Sequence, residues 1–212
     1  MSINLQKGQK IDLTKGSGGL SRIMVGLGWD EAQPAAQQNS GGFFGLFKSH
    51  SQQQIQDIDC DASAILLNAN GKLYGREAND CCVYFGNLTH KSGAIRHQGD
   101  NLTGAGDGDD EQIMVDLNRV PADVAKIVFV VNIYDANVRG QHFGMIQNAF
   151  IRLVNLENNS EICKFNLSEN YYGMTGMVVG EIYRYNREWK FNAIGQPVKE
   201  ASRLQLLLNM YI

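Results

Sequence analysis

GMVVGEIYRYNREWKFNAI, Gly176–Ile194, reads as two strands folded back on a turn. Gly176–Tyr185 and Glu188–Ile194 are rich in β-branched and aromatic residues, and Asn186–Arg187 separates them. An isolated hairpin of this kind leaves its apolar face wet, so a second sheet must cover it. Working outward, Ala149–Asn155 and Glu161–Leu167 flank Glu157–Ser160 and read as a second hairpin. Further upstream, Arg22–Trp29, Ile55–Asn68, Cys82–Gly86, Glu111–Leu117 and Ala125–Tyr134 carry the same signal. Many short strands with few helical stretches predict an all-β fold, a two-sheet β-sandwich. Composition agrees: 23 Gly against 3 Pro suits strands joined by tight turns.

The tail from Glu200 places Leu204, Leu207, Leu208 and Tyr211 at helical spacing and predicts a short C-terminal helix. Asn137–Asn148 reads as a helical turn or an ordered loop. Residues 1–212 suffice for one large domain with its own core. One segment stands apart, a Gln-, Ser-, Ala- and Gly-rich insertion at about 31–54. It holds Phe43, Phe44, Leu46 and Phe47. Two readings stand: a flexible insertion that buries these side chains locally, or a docking motif for a partner protein.

The net charge of −3 offers no general basic surface for nucleic acid. The polar N-terminus lacks the apolar core of a secretory signal, and the longest apolar runs fall far short of the ~18 residues that span a bilayer. A cytoplasmic location is expected, with attachment at the inner-membrane surface as a variant. Cys60, Cys81, Cys82 and Cys163 form no CxxC pair and no zinc-like spacing, which predicts free, buried thiols.

The chemistry concentrates in GDNLTGAGDGDDE, Gly99–Glu111. Asp100, Asp107, Asp109, Asp110 and Glu111 supply carboxylates, with Asn101 and Thr103 as neutral oxygen donors. Ca²⁺ takes about 6–8 such oxygens. The absence of His and Cys within the stretch argues against zinc or copper. Asp100 to Glu111 has the length of an EF-hand loop, yet Leu102 and Gly104 stand at ligand positions and Ala105 replaces the required Gly.

A second acidic group, Asp57, Asp59 and Asp61, alternates with Ile58, Cys60 and Ala62. Alternate strand residues share a face about 7 Å apart. At an effective dielectric near 20, each neighbouring pair repels by roughly 2 kcal/mol. A bound cation offsets that repulsion. Asp30, at the end of the first strong strand, completes the site if that strand neighbours Ile58–Ala62.

These segments resemble the tellurium-resistance TerD family of bacterial stress proteins. The resemblance rests on GLGWD (Gly26–Asp30), DIDCDAS (Asp57–Ser63), Gly99–Glu111, FVVNIYDA (Phe129–Ala136), FGMIQNAFIRLVN (Phe143–Asn155), GEIYRYNREWKF (Gly180–Phe191) and AIGQ (Ala193–Gln196). It implies a β-sandwich that binds Ca²⁺ through its Asp-rich motifs; so many acids at sequential positions suit one or two ions. It also implies a stress role linked to tellurite, phage and colicin resistance. The implied acidic positions are Asp30, Asp59, Asp61, Asp100, Asp107, Asp109, Asp110 and Glu111, with Asn101 as a neutral neighbour.

Against a Ca²⁺ scaffold or sensor stand three other functions. A thiol-based redox or tellurite-handling protein has only Cys81–Cys82 as its handle, and adjacent strand residues point to opposite faces. A Ca²⁺-dependent membrane module is compatible with loop-borne acids but lacks a neighbouring basic patch in the sequence. A hydrolase lacks GxSxG, HExxH and a phosphate loop, and His50, His90, His97 and His142 are scattered. No catalysis is expected.

Overall fold

The Asn186–Arg187 turn is built as its sequence predicts. Both residues take positive φ, 49° and 68°, the geometry of a type I′ hairpin, whose twist matches that of the flanking strands. Asn tolerates this region and Arg does not. Arg187→Gly is therefore expected to stabilise the protein by about 1 kcal/mol, read as a raised thermal midpoint. An unchanged or lowered midpoint would assign Arg187 a compensating contact.

The structure, a computed structural model, describes residues 2–15, 20–31, 58–99, 108–167 and 169–212. Most of the 31–54 insertion, with Phe43, Phe44, Leu46 and Phe47, lies outside the described residues. The first sheet holds β1 (Ile3–Leu5), β3 (Arg22–Glu31), β6 (Ile95–His97), β7 (Glu111–Asp116), β9 (Ile146–Asn155) and β10 (Ser160–Asn166), in the order β1-β10-β9-β3-β7-β6. The second holds β2 (Lys10–Asp12), β4 (Cys60–Leu67), β5 (Cys82–Val83), β8 (Lys126–Ile133), β11 (Gly176–Tyr185) and β12 (Glu188–Val198), in the order β2-β12-β11-β8-β4-β5. All pairs are antiparallel except β1 with β10. The two expected hairpins are β9–β10 and β11–β12.

The sheets close over one core. Ile23, Val25, Leu27, Ile113, Val115 and Leu153 face Ala62, Ala64, Leu66, Phe129, Val131 and Phe191. A second cluster explains why β4 is buried along its whole length. Ile65, Val128, Val130 and Val178 point to the outer side of the second sheet, where Ala201, Leu207 and Leu208 cover them. The expected C-terminal helix, α3 (Leu204–Leu208), supplies that cover and continues as a 3₁₀ turn over Asn209–Tyr211. A Cβ at Gly176 would collide with the Cβ of Ala201, so glycine lets the tail lie close on the sheet.

Three strands escaped the sequence reading: β1, β2 and β6. Each is three residues long and lies at a sheet edge, too short for alternation to register. Two short helices also occur. Ala78–Cys81 (α1) precedes β5, and Ala136–Arg139 (α2) overlaps the start of Asn137–Asn148, the stretch read as a helical turn or an ordered loop. The expected strand Cys82–Gly86 stops at Val83, because Tyr84–Asn87 closes a tight turn. Cys81 thus ends a helix rather than sitting in a strand, and both Cys81 and Cys82 pack in the second cluster. Among the described residues, no helix is long and apolar enough to cross a membrane.

Candidate cation site at one end of the sandwich

Four segments reach the same end of the molecule. β3 and β8 finish there, and β4 and β7 begin there. Leu27 pairs with Glu111, and Asp61 pairs with Asn132. Across the core, Leu27, Gly28 and Trp29 share a small cavity, about 20 Å³, with Cys60 and Val131. β3 therefore faces β4 across the sandwich instead of pairing beside it. The condition set for Asp30, a strand beside Ile58–Ala62, is not met by pairing within one sheet. In the sequence, residues 32–57 come before β4 and residues 100–107 before β7. Asp57, Asp100, Asn101 and Asp107 lie outside the described residues.

Glu111 locks the end together. Its carboxylate is buried, and Oε2 accepts the Ala62 N–H of the opposite sheet at 2.5 Å. The same oxygen lies 3.4 Å from His97 Nε2. His97 Nδ1 accepts from Gly99 N–H at 3.2 Å, which leaves Nε2 to carry a proton toward Glu111.

Asp59 and Asp61 point to the outer side of the second sheet, because Cys60 and Ala62 between them face the core. Asn132 shares that face, and its Nδ2 donates to Asp61 Oδ2 at 3.2 Å. The one side-chain oxygen of Asn132, Oδ1, is buried with no hydrogen-bond partner among the described residues. Ser63 Oγ, on the same face, is likewise buried and unpartnered. Arg139 approaches the group from α2, with Nη1 3.8 Å from Asp59 Oδ2 and the guanidinium over the Tyr134 ring.

The convergence is reported by a neighbour. Burial, and then the negative charges of Glu111, Asp61, Asp59 and Asp110, push the Cys60 thiol well above its ordinary value. Acids from the start of β4 and the start of β7 thus act electrostatically on one sulfur. Burial also pushes the Asp110 carboxyl up. The Trp29 N–H, donating to Oδ2 at 2.7 Å, pulls it back, while Asp30 and Asp109 push it further up. Asp30 itself is exposed and accepts from Asn148 Nδ2 at 2.7 Å.

Asp109 goes elsewhere. Its carboxylate folds over the outer side of the first sheet, onto Gly26, where a Cβ would collide with it. Arg152 grips it with two hydrogen bonds, Nε to Oδ1 at 2.7 Å and Nη2 to Oδ2 at 2.9 Å. Nη1 of Arg152 also reaches Glu161 Oε2 at 3.3 Å. Asp109 and Asp61 therefore lie on opposite outer faces, and one ion cannot take both. Among the described residues, no three His, Cys, Asp or Glu side chains converge tightly enough to hold a metal by themselves. Oxygen donors from other residue types, such as Asn and Ser, would have to complete any shell.

The sequence reading missed Asn132, Ser63 and Arg152. Asn132 had a signal, since it interrupts the apolar run KIVFVVNI (Lys126–Ile133). Arg152 had none, because its partner is chosen by the register of β3 with β9. The four cysteines are free and buried. Burial pushes Cys81 and Cys82 up and Cys163 up to about 12, which withholds the reactive thiolate.

Fold and rim together define a two-sheet sandwich, twelve-stranded among the described residues, with an acidic, oxygen-rich end. The TerD domain model matches residues 1–211, and the chain belongs to the TerD family. It is 50% identical over 212 residues to the stress response protein SCP2 of Bacillus subtilis (strain 168), covering 100% of both chains. It is 43% identical to the tellurium resistance protein TerD of Serratia marcescens, over 92% of this chain and 91% of that one. The crystal structure of a homologue of telluride resistance protein (TerD) from Streptomyces coelicolor A3(2) superposes with a TM-score of 0.62. That match has 20% identity and covers 92% of this chain and 99% of the other.

Proposed function

We propose that this chain is a cytoplasmic, non-catalytic stress-response protein that binds Ca²⁺ and acts as a scaffold or sensor. The observation that carries the proposal is a pair of buried oxygens, Asn132 Oδ1 and Ser63 Oγ, that have no hydrogen-bond partner among the described residues and lie on the same face as Asp61. A buried carbonyl oxygen with no donor is costly, and a hard cation relieves it. Asp59, Asp61, Asn132 and Ser63 would contribute the oxygens of the second sheet. Asp100, Asn101 and Asp107 come shortly before β7 in the sequence and would add further oxygens. Asp30 and Asp110 are candidates for a second ion on the β3 side. When bound, the ion supplies positive charge that holds these acids together and stabilises the fold. The names of the Bacillus and Serratia relatives support the stress role.

The test is calorimetric titration of chelator-stripped protein with Ca²⁺, with Mg²⁺ as control. Binding in the micromolar range is expected, weakened at least about tenfold by Asp61→Asn and by Asn132→Ala. At free Ca²⁺ one hundred times Kd, the protein should gain about 2.7 kcal/mol. Absence of heat and of thermal stabilisation at millimolar Ca²⁺ would reject the reading.

A further inference from the structure

The outer side of the first sheet carries a feature that a cation site does not use. Arg22 of β3, Arg96 of β6 and Arg119 border one open cleft of about 300 Å³. Met114 and Leu156 contribute apolar surface to it, and Asp116 is its acidic member. The register explains the gathering. Arg22 pairs with Asp116, and Arg96 pairs with Met114, so the two arginines flank β7 from either side. Ile23 and Ile95 beside them face the core, which turns both arginines outward.

Arg119 is held in place. Its Nη2 donates to Ser92 O at 3.0 Å. Gly93, at φ 68°, leaves the space the guanidinium occupies, since a Cβ there would lie 2.6 Å from Nη2. Arg22 and Arg96 are exposed and form no ion pair among the described residues. Three guanidiniums thus meet one carboxylate on a chain whose net charge is −3. Asp116 is already occupied in part by the Asn118 N–H at 3.1 Å. Like charges gathered on one sheet face repel unless an anion joins them.

We propose that this cleft binds a small organic phosphate. Planar guanidiniums match phosphate oxygens two at a time. The volume reaches the lower bound of small-molecule sites, about 300 Å³, which suits a mononucleotide better than a polymer. A flat ring would lie on Met114 and Leu156 while the phosphate meets the arginines. The site lies on a different face from Asp61 and Asn132 and does not depend on Ca²⁺.

Titration of the full chain with AMP, pyrophosphate and inorganic phosphate, in low salt with EDTA, tests this. Saturable AMP binding is expected. Amide shifts in a ¹⁵N spectrum should centre on Arg22, Ala94, Arg96 and Met114. Arg96→Gln and Arg22→Gln should each weaken binding at least about tenfold, the loss of one charge-assisted contact. Lys199→Gln, at an exposed position outside the cleft, should leave it unchanged. No saturation by any of the three anions, or equal weakening by Lys199→Gln, would overturn the proposal. Binding to phosphatidylglycerol vesicles that needs Arg96, without AMP binding, would overturn it in favour of a lipid headgroup.

Discussion

Arg152→Ala is expected to cost about 3–5 kcal/mol of folding stability, the range for removing one partner of a buried ion pair. The Asp109 side chain has 0% exposure, and Arg152 is its only basic partner among the described residues. Removing the guanidinium strands a carboxylate against Gly26 and the sheet. Gln112 Nε2, at 3.4 Å, is too distant to replace two bonds. Asp109→Ala should cost less, because Arg152 is 31% exposed and can turn to water and Glu161. The double variant should lose less than the sum of the singles, the signature of direct coupling. Denaturant melts of the four proteins measure this. A loss below about 0.5 kcal/mol for Arg152→Ala would make the pair no stronger than an ordinary surface salt bridge.

The Asp109–Arg152 pair also shows where sequence reading stops. Gly99–Glu111 announces oxygen chemistry by residue type alone, and the ladder of Asp59 and Asp61 sharing a face follows from strand alternation. Both are local facts. Whether two acids meet one ion depends on which sheet each strand joins, and that is decided by pairing between segments far apart in the sequence. β3 pairs with β9 and β7, not with β4. Asp30 and Asp61 therefore belong to opposite sheets, and Asp109 is drawn to Arg152 on the outer side. The strands themselves were legible wherever they ran six residues or longer, as in β7 and β11. The three-residue edge strands were not, since their pairing is imposed by a neighbour rather than by their own pattern. Asn132 lies between these cases. A lone amide in an apolar strand marks a polar need in the fold, but only the register with Asp61 says what that need is.

Glu111 separates a structural role from a metal role. Glu111→Ala should destabilise the protein by about 3 kcal/mol, because it leaves the buried Ala62 N–H without its acceptor and opens a cavity between the sheets. Glu111→Gln keeps an acceptor oxygen of the same reach and should cost about 1 kcal/mol or less. The amide can also keep facing His97, whose Nε2 carries the donor proton. Calcium titration of the Gln variant then divides the possibilities. If Glu111 acts only as the tie between β7 and β4, its Ca²⁺ affinity stays within about threefold of the parent, far less than the tenfold of a lost charged ligand contact. If Glu111 also binds the ion, affinity falls at least tenfold with little change in the melt of the calcium-free protein. The geometry favours the first outcome. Oε2 is committed to a 2.5 Å bond with Ala62 N–H, and the side chain faces the core, whereas Asp61 and Asn132 face outward.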